Sequence, residues 1–130
     1  MRLRYYKARA VDGDTLRVVL KGAPKILMVK YVRIIGIDTE ELSDTNNRKR
    51  IKAIQAKEEC HRWLKSFIKP RLFAVECKSH EGDPYLKNHN GRILCRMMIW
   101  KWTKMKWVDY ADHIIDKKLH KRESKWNKQP

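Results

Sequence analysis

A chain of 130 residues, 42% of them hydrophobic, can bury one modest core and is too apolar for a disordered polymer. Its 31 Lys and Arg against 15 Asp and Glu leave a formal charge of +16, which repels itself in a compact state and points to a polyanionic partner, nucleic acid ahead of an anionic membrane. No apolar run approaches the ~20 residues of a membrane helix, and Met1-Arg2-Leu3-Arg4-Tyr5-Tyr6-Lys7 lacks the apolar stretch of a secretion signal, so a soluble intracellular monomer is expected.

Tyr5 to Val11 and Thr15 to Leu20 flank Asp12-Gly13-Asp14, a pattern that predicts a hairpin. After the turn at Lys21-Gly22-Ala23-Pro24, Ile26 to Ile37 reads as a third strand, completing an antiparallel meander. A polar loop follows from Glu41 to Asn47. From Arg48 the apolar period becomes helical: Ala53, Ala56, Cys60, Trp63, Leu64 and Phe67 form one stripe that Lys69-Pro70 ends. Leu72 to Cys77 and Arg92 to Trp102 read as a fourth and fifth strand, separated by a polar loop from Ser79 to Gly91. A Lys-rich turn leads to Asp109, a plausible N-cap for a last helix carrying Ala111, Ile114, Ile115 and Leu119. This order predicts an α+β domain over residues 1–120, a five-stranded OB-fold-like barrel with helices packed on it, and a basic disordered tail at 121–130.

Cys60, Cys77 and Cys95 are odd in number, widely spaced and without a Cys-x-x-Cys pair, which reads as reduced thiols and no structural zinc. The acids Asp14, Asp38 and Glu41 instead fall where strands end. Carboxylates gathered in space repel unless a cation lies between them, and hard divalent ions take such oxygen ligands. Turn chemistry and solvation account for the same acids equally well. Arg33 and Arg92 stand in or beside the third and fifth strands, and a metal with two guanidinium forks is what stabilises the extra charge of a phosphodiester under attack.

Taken together, Val11-Asp12-Gly13-Asp14-Thr15, Val32-Arg33-Ile34-Ile35-Gly36-Ile37-Asp38-Thr39-x-Glu41, Gln55-Ala56-Lys57-Glu58 and Asn90-Gly91-Arg92 resemble the ordered signature of the staphylococcal nuclease-like (thermonuclease) family, over roughly residues 5 to 118. The resemblance implies a Ca²⁺-dependent phosphodiesterase acting on DNA and RNA, with Mg²⁺ or Mn²⁺ as other possible ions. It implies Asp14, Asp38 and the Thr39 carbonyl as metal ligands, Arg33 and Arg92 as phosphate-binding and catalytic arginines, and Glu41 as the residue that activates or positions water. Two departures stand out. Glu40 replaces the family's usual Pro, and Asn88-His89-Asn90-Gly91-Arg92 replaces Asp-Lys-Tyr-Gly-Arg, leaving Tyr85 to substitute for the tyrosine that would assist phosphate binding.

Arg33 and Asp38 lie an odd number of residues apart, so a regular strand would point them to opposite faces; a bend at Gly36 is expected if they share a site. His61, His80 and His89 read as solvated positions. Trp100, Trp102 and Trp107, alternating with Lys101, Lys104 and Lys106, complete the core or form a stacking platform for bases. The chain therefore reads as a metal-dependent nuclease, largely indifferent to sequence. The alternative is a catalytically silent nucleic-acid-binding module on the same barrel.

Overall fold

A computed structural model describes residues 1–75 and 92–127. The expected hairpin consists of β2 (Tyr5–Ala10) and β3 (Thr15–Leu20), antiparallel, with Ala10 opposite Leu16. Leu16, Val18 and Leu20 of β3 alternate into the core, the two-residue period of a strand with one buried face. β4 (Val29–Ile34) pairs antiparallel with β3 and sets Arg33 opposite Thr15. It is shorter than the sequence suggests at both ends. Lys25–Leu27 forms a turn of 3-10 helix, and the ladder stops before Gly36, whose φ of +91° lies in the left-handed region that glycine enters without strain.

Helix α1 (Asn47–Leu64) is capped by the Asn46 side chain, which accepts the Lys49 N–H at 3.2 Å. Ala53, Ala56, Cys60 and Leu64 are buried as expected, but the helix stops short of Phe67, which is 95% exposed. The Ser66 hydroxyl bonds to the carbonyls of Trp63 and Ile68 and diverts the chain there. β5 (Arg71–Ala74) and β6 (Ile93–Lys101) pair antiparallel. The Cys77 end of the expected fourth strand, the loop histidines His80 and His89, Asn90, Gly91 and Tyr85 lie outside the described residues.

Among the described residues the sheet has seven strands rather than five. β1 (Arg2–Leu3) is too short to carry a readable period. β7 (Lys106–Asp109) follows a turn at Met105, whose φ is +51°, inside the stretch read as a Lys-rich turn. The strand order is β1-β5-β6-β4-β3-β2, with β7 added on β6 and, among the described strand pairs, only β4–β6 parallel. β1 and β2 stand at opposite ends of this order, yet Arg4 alone separates them in the chain. One peptide step spans ~3.8 Å, so the sheet must curl until its ends approach, while its ladder stays open.

Helix α2 (Tyr110–Asp116) begins at Asp109, whose carboxylate accepts the Ala111 N–H at 3.0 Å. Tyr110 and Ile114 are completely buried among Leu16, Ile34, Met97 and Ile99. Cys60 and Cys95 are free and buried, and burial pushes both thiols up to about 12, where they carry no thiolate at neutral pH. No described helix is long and apolar enough to cross a membrane.

Candidate active site

The site starts in the turn between β2 and β3. The Asp12 carboxylate accepts the Asp14 N–H at 3.0 Å, which tightens the turn. Gly13 lies where the turn meets α1: a Cβ there would stand 2.6 Å from Cβ of Ala56 and 2.8 Å from Cγ2 of Thr39. The Tyr110 hydroxyl donates to the Gly13 carbonyl at 3.1 Å and fixes the turn from α2. Asp14 is thereby held inward, 5% exposed. Its oxygens accept the Thr15 hydroxyl at 3.0 Å and the Thr39 N–H at 2.9 Å. Burial, reinforced by Asp12, pushes the Asp14 carboxyl up to about 6 against the pull of Arg33 and the Thr39 N–H.

At the end of β4 and just past it, two carbonyls face the Arg33 side chain. Nη1 of Arg33 donates to the Ile34 carbonyl at 2.5 Å and to the Ile37 carbonyl at 2.8 Å. Nη2 lies 3.5 Å from an oxygen of Asp14 and 3.5 Å from an oxygen of Asp38. The bend at Gly36 thus brings Arg33 and Asp38 together despite their odd spacing. Because both carboxylates approach one nitrogen, their oxygens are separated by no more than twice that distance. The parallel β4–β6 pair, with Val32 opposite Ile93, brings in Arg92, whose Nη1 donates to the Thr15 hydroxyl at 3.3 Å.

These side chains line one cavity of about 280 Å³, whose walls include Asp12, Asp14, Arg33, Asp38, Glu41, Arg92 and Trp126. Of the residues singled out in the sequence, Asp14, Arg33, Asp38, Glu41 and Arg92 therefore meet. Glu41 is exposed at this cavity, whereas Glu40 is 7% exposed and is not part of its wall. Thr39 sits behind Asp14, with its Oγ1 buried and lacking a hydrogen-bond partner among the described residues. Of the tryptophans considered for stacking, Trp100 packs edge-on against Trp102 and Trp107, and the Arg71 guanidinium covers Trp107 at 4.3 Å, away from the cavity.

The segment from Lys121 to Asn127, read in the sequence as a tail, is held against the site. The Ser124 hydroxyl donates to Asp38 Oδ2 at 2.7 Å, the Asn127 side-chain oxygen accepts the Asp38 N–H at 2.8 Å, and the Lys121 N–H donates to the Asp38 carbonyl at 2.6 Å. Asn127 also bridges to Gly36. No local sequence signal marks Ser124 and Asn127, because their partner lies 86 and 89 residues away.

Among the described residues, no three His, Cys, Asp or Glu side chains gather as a metal-binding group. Two converging carboxylates, one buried, suit an ion that fills its remaining positions with a backbone carbonyl, water and substrate phosphate, as Mg²⁺ commonly does and Ca²⁺ can. Among the described residues the cavity presents oxygen donors and no thiol or imidazole, a set that fits a hard divalent cation. No protein-family model matches the chain, and no curated protein matches it.

Proposed function

We propose that this protein is a metal-assisted phosphodiesterase that hydrolyses DNA or RNA, built on an OB-fold-like barrel of the staphylococcal nuclease-like kind. The observation that supports this most is the single cavity lined by Asp14, Arg33, Asp38, Glu41 and Arg92. An antiparallel meander of β2, β3 and β4 in a curled sheet, with α1 against its first turn, is consistent with the barrel.

Asp14, Asp38 and the Thr39 carbonyl would hold the ion. A bound Ca²⁺ or Mg²⁺ supplies Lewis-acid stabilisation to a phosphate gaining negative charge. Arg92 offers its guanidinium fork to the phosphate oxygens, and Arg33 reaches the same cavity from the opposite strand. Glu41, exposed to solvent, can accept a proton from water or orient it for attack on phosphorus. The surplus of cations elsewhere draws in the strand without reading its sequence.

A second reading, a silent nucleic-acid-binding module, draws support from Arg33. Its guanidinium contacts two carbonyls and two carboxylates of its own chain, which is also what a purely structural arginine would do. Incubation with single-stranded DNA, with Ca²⁺, with Mg²⁺ and with chelator, separates the two. Metal-dependent cleavage abolished by Asp38→Asn supports the enzyme. Binding with no cleavage under any condition establishes the module.

A further inference from the structure

We infer that Trp126 is a stacking platform for one unpaired nucleobase at the mouth of this cavity, so that the preferred ligand is single-stranded nucleic acid. This rests on the reading of the cavity as a phosphate site.

Trp126 is 51% exposed and lines the same cavity as Arg33 and Arg92. An exposed indole beside phosphate-binding guanidinium groups provides the two surfaces a nucleotide presents, an anionic phosphate and an aromatic face. The cavity, at about 280 Å³, is near the lower end for small-ligand sites, so a phosphate held inside leaves the attached base at its mouth.

The platform is also anchored. Ser124 on one side bonds to Asp38 and also accepts the Trp126 N–H at 3.2 Å, while Asn127 on the other bonds to Asp38 and bridges to Gly36. A backbone held on both sides of the residue limits the entropy lost when a base lands on its ring. Lys125 places its Nζ over the Trp126 ring, 5.4 Å from its centre, a cation that a base arriving with its phosphate would draw off the ring. A base inside a duplex is already stacked and paired, and reaching Trp126 would require its extrusion.

The test measures binding with chelator present, so that no cleavage is needed. Three probes of equal length are compared: oligothymidylate, an abasic deoxyribose-phosphate strand, and a duplex. Trp126→Leu keeps an apolar side chain but removes the ring, and Trp126→Phe keeps an aromatic face. The leucine variant is expected to lose roughly 5- to 150-fold in affinity for oligothymidylate, the span of one base–aromatic stack, with abasic and duplex binding unchanged. The phenylalanine variant should retain most of the parent's preference for the base-bearing strand. Equal losses on all three probes, or no loss on any, would overturn the assignment. A parent that prefers oligothymidylate through Trp126 but never cleaves with metal would leave the stacking site standing and remove the nuclease reading instead.

Discussion

Nη2 of Arg33 lies 3.5 Å from a carboxylate oxygen of Asp14 and 3.5 Å from one of Asp38, so one guanidinium compensates both acids of the candidate site. All three side chains are largely shielded from water, which strengthens their coupling. Replacing Arg33 with Ala leaves two neighbouring carboxylates uncompensated. Loss of one partner of a buried charged pair costs about 3 kcal/mol, so denaturant unfolding of Arg33→Ala should show a large loss of stability. Millimolar Ca²⁺ or Mg²⁺ should restore more stability to the variant than to the parent, because the ion supplies the missing charge. Equal metal responses in the two proteins would show that the carboxylates do not form a joint cation site.

Gly13 gives a second expectation, one of space rather than backbone freedom. Its missing Cβ is what lets the Asp14 turn rest on Ala56 and Thr39. Gly13→Ala should cost ~1–3 kcal/mol, as overpacking does, and should displace Asp14 along with the turn. Ala56→Gly in the same chain should recover part of that loss. Urea midpoints for the two single variants and the double variant measure it, and a simple sum of the single effects would place the contact elsewhere.

Much of this site was legible from local pattern. Asp14 and Asp38 stand at strand ends marked by Asp-Gly and Gly-Ile steps, and the odd spacing of Arg33 and Asp38 called for the bend that Gly36 supplies at φ +91°. The α+β class followed from the switch between two-residue and helical periods. The remaining features depend on contacts that leave no local trace. A two-residue strand such as β1 has no period, and β7 opens on an exposed Lys followed by three half-buried residues, which leaves no alternation to read. The bonds from Ser124 and Asn127 to Asp38 bridge most of the chain and involve polar residues in a charged stretch. Likewise Glu40 and Glu41 look equivalent in sequence, and only the path of the backbone buries one and exposes the other.

Ser124 is expected to tune metal affinity without touching the ion. Its hydroxyl occupies Oδ2 of Asp38 and so orients the carboxylate that would ligate through its other oxygen. Hydrogen-bonded partners of metal ligands typically carry 10–100-fold of the affinity. Ser124→Ala should weaken Ca²⁺ or Mg²⁺ binding in that range by calorimetric titration, and Ser124→Thr should restore it. An alanine variant with unchanged metal affinity would reduce Ser124 to a simple tether for its segment.

A pH effect is expected where α1 meets α2. His113 Nε2 lies 2.7 Å from a carboxylate oxygen of Glu59, which Trp63 also approaches at 3.0 Å, with Arg62 and Lys117 nearby. Burial lowers the His113 pKa below 6.5, with Lys101 and Lys117 adding to the fall and Glu59 opposing it. Burial tends to raise Glu59, but the hydrogen bonds from His113 and Arg62 outweigh it and leave that carboxyl low. A base with a lowered folded pKa stabilises the fold while neutral; that stability is fully present above 6.5 and is lost as pH falls from there through the lower folded pKa. His113→Gln should therefore be less stable than the parent at pH 8, with the gap narrowing toward pH 5. Comparing variant with parent at each pH cancels Asp14, whose raised carboxyl works in the opposite direction. A gap that stays constant from pH 8 to pH 5 would mean that His113 does not titrate differently in the two states.

Arg92 and Glu41 carry the most direct test of catalysis. Both line the cavity, and a double set of measurements, unfolding beside rate, separates a lost fold from a lost reaction. Charge that develops on the phosphate makes a guanidinium worth more in the transition state than in the bound strand. Arg92→Ala should slow cleavage by about 2.7–4 kcal/mol of barrier, roughly 10²- to 10³-fold, while affinity for a single strand falls only slightly, since some thirty other cations remain. Glu41→Gln should lower the rate with binding unchanged or tightened, because a negative charge leaves the path of the phosphate. Glu40 offers no rescue from its buried position outside the cavity wall. Rate and affinity are to be measured side by side on one labelled strand, with saturating metal for cleavage and chelator for binding. Variants that cut as fast as the parent, or that lose rate and binding in equal proportion, would replace the nuclease with the binding module.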